Sequence, residues 1–182
     1  MCGQGLNFEF LLFTFELQYM NAQAGLFVKQ MLNPFQFKWF LFTRIPSAFF
    51  SGVRVRELER QKCTVTIPYK WFSQNPFRST YFACLSMAAE MSTGCLAMMN
   101  VFQRTPSVSM LVVMMESHYF KKAVGKTSFI CRDGDLFESK VEEAIATGEA
   151  TTVTAKSVGT NEQGEVVAEF LVTWSFKVKS KK

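Results

Sequence analysis

At 182 residues the chain is long enough to bury a sizeable core and has the length of one domain. Apolar residues make up 48% of it and charged residues only 19%, a balance that excludes an intrinsically disordered chain. The net charge of +5 permits an anionic ligand, but the basic residues are scattered and accompany no zinc-finger or arginine-glycine signature, so we expect no nucleic-acid partner.

The first nineteen residues are apolar but poorly suited to be a signal peptide. They contain Glu9 and Glu16, and they lack both a basic start and a small-residue cleavage site. A more ordinary amino terminus begins at Met20. We therefore expect residues 1–19 to be a doubtful extension, the alternative being an interfacial membrane anchor, and residues 20–182 to form a single domain.

Helical character is expected from residue 21 to residue 42, where apolar residues recur at helical spacing and a break falls near Pro34. Pro46 and Gly52 are expected to close this helical region. Two strands follow, at 52–58 and 62–69, because apolar side chains alternate with polar ones in both segments. These two strands are predicted to form a β-hairpin.

The segment 81–102 is apolar or small on nearly every side and carries one charge, Glu90. A helix of this kind must be buried, either in a protein core or in a membrane. Ser79 or Thr80 is expected to cap it. Its internal polar residues and the β-patterned strands that follow favour a soluble core, since an unpaired glutamate in a bilayer costs on the order of a few kcal/mol. We therefore predict a buried central helix.

The second half of the chain has mainly β patterning. Strands at 107–120 and 126–132 are expected to pair across a turn at Gly125, and a short helix follows them. Strands at 150–158 and 165–178 form a predicted hairpin, and seven apolar residues of the second strand fall on one face. The expected fold class is therefore α+β, with an antiparallel β-sheet of six strands wrapped around a long central helix.

The number and spacing of the cysteines favour a cytoplasmic protein, and the single histidine argues against a metal site. The five cysteines are odd in number and show no CxxC spacing, and four of them fall on predicted strands or the central helix. A reducing compartment explains this pattern most simply, so we expect a cytoplasmic protein. His118 is the single histidine, so the sequence offers few ligands for a zinc site and one possible base for a Ser-His-Asp triad. We therefore expect no metal.

Glu90 is the candidate site residue that these patterns single out. A carboxylate on an apolar helix must be neutralised, be hydrogen-bonded or have a chemical role. Desolvation on such a helix would raise its pKa toward neutrality, which suits a general base. The structural alternative is an ion pair with Arg54, Arg56 or Arg78 across an interface.

The stretch NPFRSTYFACLSMAAEMSTG, preceded by VTIPYKWFSQ, resembles the hotdog fold of the acyl-CoA thioesterase superfamily. It is most similar to an uncharacterised branch that includes domains of unknown function. The likeness covers about residues 30–178, including the order of the helix and long strands and the terminal WSFKVK. It implies a hotdog fold, an acyl-CoA or similar thioester as substrate, and no cofactor apart from the coenzyme A of that substrate. It also implies a homodimer or tetramer, without stable membrane insertion.

The resemblance further implies which residues act. Hotdog thioesterases place a carboxylate base or nucleophile on the central helix, and Ala88-Ala89-Glu90-Met91 matches that position, so Glu90 is the expected catalytic residue. Several families open the helix with His-Gly-Gly, whose amides form the oxyanion hole, and neither the histidine nor the glycines are present here. The substrate-binding residues expected from the match are Asn75, Tyr81, Phe82, Ala83, Ser92 and Thr93.

Two functions remain open at this stage. The first is an acyl-CoA thioesterase with Glu90 as base, and the alternative is a non-catalytic acyl or acyl-CoA binding protein, which the missing His-Gly-Gly favours. The site residues also have structural alternatives. Asn75 before Pro76 is typical of a turn, and Ser92 and Thr93 more often bond to the helix backbone than to a substrate.

Overall fold

The computed structural model describes residues 22–179, so the expectation for residues 1–19 lies outside the described residues. The first half of the described chain contains α1 (Ala22–Leu32), α2 (Pro34–Arg44), α3 (Pro46–Ser51), β1 (Arg54–Leu58), β2 (Cys63–Ile67) and α4 (Phe82–Val101). The second half contains β3 (Val108–Tyr119), β4 (Thr127–Cys131), α5 (Gly134–Thr147), β5 (Thr151–Thr160) and β6 (Val166–Val178).

The amino-terminal helices form where the sequence predicts them. Asn33 separates α1 from α2, and its side-chain oxygen accepts hydrogen bonds from the amides of Phe35 and Gln36. Pro34 occupies the first position of α2, where a missing N–H costs nothing. Of the two residues expected to close this helical region, Pro46 instead begins the additional helix α3, whereas Gly52 does end the region as the left-handed C-cap of α3.

The sheet has six strands in the order β1-β2-β4-β5-β6-β3, and its neighbouring strands run antiparallel. The predicted hairpins β1–β2 and β5–β6 are both present. The predicted pairing of β3 with β4 is wrong, because β3 pairs with β6 and β4 lies between β2 and β5. Strand β3 has 12 residues and pairs along its length with the 13-residue β6, whereas β4 and β2 have 5 residues each.

Helix α4 lies against the sheet as the central helix of a hotdog fold. It is long and apolar enough to cross a membrane by length and composition. Twelve of its 20 residues are buried in the protein, and they pack against a sheet whose inner face carries Phe129, Phe170 and Phe176, all fully buried. The central helix and the α+β hotdog fold are thus confirmed.

The start of α4 differs in detail from the sequence expectation. Its N-cap residue is Tyr81, which makes no side-chain capping bond, so neither Ser79 nor Thr80 caps the helix. The backbone and hydroxyl of Ser79 instead bond to Asn75 in the preceding turn. Ser79 therefore shapes the loop before the helix and does not cap the helix.

Candidate functional site

An apolar cavity of about 450 Å³ lies between α4 and the amino-terminal helices. One wall comes from α1 and α2, and the opposite wall comes from α4 and from Trp174 of β6. Phe27 of α1 and Phe102 after α4 lie with ring centroids 5.3 Å apart at its edge. The lining is formed by Phe27, Gln30, Met31, Phe37, Phe40, Ile45, Glu90, Met91, Gly94, Cys95, Met98, Phe102, Met110 and Trp174.

Glu90 carries the only carboxylate among the described residues that line this cavity. Burial raises its pKa above the usual value, because an apolar surrounding disfavours the charged form. Within the described chain no basic side chain forms an ion pair with it: the Arg54 guanidinium donates to the carbonyl of Val53, and Arg56 donates to Thr66. Neither arginine therefore pairs with Glu90 within one copy of the described chain, and an ion pair across an interface stays a prediction.

Gly94, one turn after Glu90, provides the space that the carboxylate occupies. A Cβ atom at this position would lie 3.3 Å from Glu90 Oε1 and 3.2 Å from the ring of Trp174. Trp174 is held in place because its indole Nε1 donates a 3.0 Å hydrogen bond to Thr93 Oγ1. Thr93 Oγ1 in turn donates to the carbonyl of Glu90 at 2.9 Å. The cavity wall beside the carboxylate is therefore rigid on the tryptophan side.

Ser92 and Thr93 serve the packing of α4 in this structure. Ser92 Oγ donates to the carbonyl of Ala89 at 2.8 Å and shares a 2.7 Å hydrogen bond with Ser157 Oγ of β5. Both Ser92 and Thr93 are buried, and neither lines the cavity. Their hydroxyls tie the helix to the sheet, which agrees with the structural alternative for these residues.

The predicted residues at the start of α4 lie beside a second cavity, of about 520 Å³. Asn75, Tyr81 and Phe82 line it, together with Lys121 and Lys122 from the segment after β3, while Ala83 is half-buried outside its lining. The Asn75 side-chain oxygen accepts hydrogen bonds from the amides of Phe77 and Ser79, at 2.9 and 3.3 Å. Asn75 therefore shapes the turn.

The structure does not bring the helix-start residues and Glu90 together within one protomer. Phe82 and Glu90 are eight residues apart on one helix, which corresponds to about 12 Å. Leu85 lines the second cavity and Gly94 lines the apolar one, and nine residues of α-helix place them on opposite sides of α4. The carboxylate and the amides at the helix start therefore belong to different cavities.

Gln30 is a site residue that the sequence patterns did not reveal. It lies on α1 next to Met31, and within residues 22–179 it has the only side-chain amide that lines the apolar cavity. Its place on the inward face follows from the helical spacing of Phe27 and Met31, which are both buried. No group of three histidine, cysteine, aspartate or glutamate side chains within residues 22–179 is arranged to hold a metal ion.

Comparison with known proteins agrees with the fold. A protein from Pseudomonas aeruginosa described as a probable thioesterase superimposes with a TM-score of 0.68 at 24% identity, covering 82% of this chain and 99% of that one. A protein of unknown function from Chlorobaculum tepidum gives 0.67 at 15% identity, with coverage of 82% and 99%. A thioesterase from Haemophilus influenzae gives 0.55 at 9% identity, with coverage of 78% and 90%.

The sequence comparison identifies the family. No curated protein matches the chain. Residues 35–176 match the family model described as a domain of unknown function, DUF4442, and this match spans most of the hotdog domain from α2 to β6. The chain therefore belongs to the DUF4442 family.

Proposed function

We propose that the protein is a thioester hydrolase that acts on acyl-CoA or a similar acyl thioester. The observation that carries this proposal is the carboxylate of Glu90, which forms no ion pair within the described residues, at the wall of a largely apolar cavity of about 450 Å³. A concave apolar site with few polar groups and a perturbed pKa is the usual form of a small-molecule site. The thioesterases among the solved structures of the same fold are consistent with it.

In the proposed reaction the acyl chain lies along the phenylalanine and methionine side chains of the cavity, and its thioester carbonyl lies beside Glu90. The ionised carboxylate removes a proton from a water molecule as that water attacks the carbonyl carbon. The C–S bond then breaks, and the proton passes to the leaving thiolate, so that water and thioester give a carboxylic acid and a thiol. The raised pKa of Glu90 makes it a stronger base than an ordinary carboxylate.

The developing oxyanion needs a hydrogen-bond donor in the same cavity. Gln30 supplies the side-chain amide that lines this cavity, whereas Tyr81 and Phe82 line a different one, and the Tyr81 amide already donates to the carbonyl of Ser73 at 2.7 Å. We therefore assign Gln30 the role of donor to the carbonyl oxygen. Loss of one oxyanion donor typically lowers kcat about 100-fold or more, so a Gln30→Ala variant tests this role.

The proposed hydrolysis is tested by measuring coenzyme A release from short, medium, long and aromatic acyl-CoAs, with chromatography to separate the thiol products from the protein. Glu90→Gln is expected to lower kcat by about 100-fold or more, because the base is lost while the shape of the side chain is kept. Glu149→Gln is the matched control, since Glu149 is exposed beyond α5. Turnover that survives in Glu90→Gln contradicts the assigned role of the carboxylate.

A non-catalytic acyl-CoA binding protein is the second candidate. The separation of about 12 Å between the start of α4 and Glu90 favours it, because the helix-start amides and the carboxylate cannot act on one carbonyl within a protomer. In that case acyl-CoA binds without turnover, and Gly94→Trp in the apolar cavity abolishes binding. Isothermal calorimetry with the same panel of acyl-CoAs distinguishes the two candidates.

We also infer that two copies pair through β3, as the thioesterase likeness suggests. Strand β3 is at the edge of the sheet, and it exposes Leu111, Val113 and Met114 by half or more of their surfaces. An exposed apolar edge strand is a template for pairing with another copy. Val113→Lys is expected to convert the dimer to a monomer in light scattering coupled to size exclusion, and an unchanged mass would contradict the inference.

A further inference from the structure

A continuous aromatic strip crosses the outer surface of the amino-terminal helices. It runs from α2 through α3 to the turn before Asn75, and successive ring centroids are 5.3 to 6.3 Å apart. Most of its side chains are exposed, including Trp39 at 63% and Trp71 at 81%. The members of the strip are Trp39, Phe42, Phe49, Phe50, Phe72 and Trp71.

The sequence around this strip carries positive charge without acidic residues. From residue 22 to residue 56 the charged side chains are all basic, and they comprise Lys29, Lys38, Arg44, Arg54 and Arg56. Lys38 lies next to Trp39 on α2 and is exposed. Lys70 lies next to Trp71, and its ammonium group would be 2.8 Å from a Cβ at Gly52, beside the end of α3. Each tryptophan of the strip is thus accompanied by a lysine.

The combination of residues indicates what kind of partner this surface fits. Tryptophan and phenylalanine with flanking lysines are typical of helices that lie in the interface of a lipid bilayer, where rings enter the acyl boundary and ammonium groups meet anionic headgroups. Protein–protein interfaces also use aromatic side chains, but they are depleted in lysine relative to the rest of the surface, whereas a lysine accompanies each tryptophan of the strip. The uniform positive charge therefore favours an anionic membrane surface.

We propose that the protein docks peripherally on anionic lipid bilayers through the aromatic strip and its flanking basic residues, without spanning the membrane. A groove lined by Phe35, Trp39 and Arg44 reaches the strip and shares Gln30, Met31 and Phe40 with the apolar cavity. If the proposed hydrolase activity is correct, the docked protein takes its acyl substrate directly from the membrane. The docking itself does not depend on hydrolysis.

The test uses the full chain and vesicles of phosphatidylcholine alone or with phosphatidylserine, separated by flotation. Wild-type protein is expected to float with the anionic vesicles, and the association should weaken as salt rises. Lys38→Glu is expected to lower the partition coefficient by about fivefold or more. Trp39→Glu combined with Phe42→Glu is expected to lower it about tenfold or more, because two rings can no longer enter the interface.

A matched control separates docking by the strip from general attraction of a basic protein to anionic lipid. Phe77→Glu combined with Phe120→Glu makes the same change in charge at two other aromatic side chains, which are 73% and 58% exposed. This control is expected to float like wild type apart from a modest electrostatic loss. Equal losses in the control and in the strip variant would overturn the proposal.

Tryptophan fluorescence gives a second readout that reports the docked surface directly. Of the three tryptophans, Trp39 and Trp71 belong to the strip and Trp174 is only 4% exposed. Brominated lipids are therefore expected to quench emission from the strip while leaving Trp174 bright. The proposal is overturned if wild type neither floats nor is quenched, as it would be if residues 1–21 or a second copy covered the strip.

Discussion

Replacing Gly94 with alanine tests whether the space beside Glu90 serves the candidate site. An alanine in a helix interior is about 1 kcal/mol more favourable than a glycine, so the substitution alone would stabilise α4. The new Cβ would lie 3.2 Å from the Trp174 ring and 3.3 Å from Glu90 Oε1, closer than ordinary contacts. Because the indole is held by Thr93, the carboxylate has to move, and this strain costs about 1 kcal/mol.

The expected net change in the free energy of unfolding is therefore within about 1 kcal/mol of zero, measured by urea denaturation followed by circular dichroism. The catalytic effect is larger, because displacement of the carboxylate spoils its alignment with the thioester, and kcat/KM for the preferred acyl-CoA should fall about tenfold or more. If hydrolysis is absent, the readout is the affinity for acyl-CoA. The double variant Glu90→Gln/Gly94→Ala should lose no more activity than Glu90→Gln alone.

Full activity in Gly94→Ala together with a stability gain of about 1 kcal/mol would refute this reasoning, because it would mean that the new methyl group does not displace the Glu90 carboxylate. A large loss of stability would refute it as well, because it would mean that neither the Trp174 ring nor the Glu90 carboxylate can move away from the new methyl group.

Three further predictions concern the groups that surround the site and the packing of α5. The melting temperature of Glu90→Gln should exceed that of wild type by a margin that grows as the pH rises above 4.5, because a raised carboxyl pKa destabilises the ionised native state. Trp174→Phe should lower the free energy of unfolding by about 2 kcal/mol in urea denaturation, through the lost bond to Thr93 and the smaller ring. Gly134→Ala should cost about 3 kcal/mol or prevent folding in the same assay, because its Cβ would lie 2.0 Å from the backbone oxygen of Arg60.

Each of these predictions has a distinct contrary result. A constant difference in melting temperature from pH 4 to pH 8 would mean that Glu90 has an ordinary pKa in the folded protein. Wild-type stability in Trp174→Phe would show that the indole bond is replaced by water. A stable Gly134→Ala variant would show that the loop at Arg60 and Gln61 can move away from α5.

The elements of the fold could be predicted from the sequence because their signals are local. The period-two pattern of β6 and the alternation in β1 and β2 depend only on neighbouring residues, and both hairpins were predicted correctly. The pairing of β3 with β6 joins residues that are distant in the sequence, such as Ser117 and Phe170, which are 53 positions apart, so a local pattern carries no information about it. The assumption that β3 pairs with the next strand along the chain failed for this reason.

By itself the sequence determined that one apolar helix carries a single carboxylate, because Glu90 is part of α4 however the rest of the chain packs. Only the tertiary structure decided which groups surround that charge. Packing of α1 and α2 over α4 places Gln30 in the cavity of Glu90, whereas the helical rotation of about 100° per residue turns the predicted residues at the helix start toward another cavity. A site depends on contacts between distant segments, and these are fixed by how helices and strands pack.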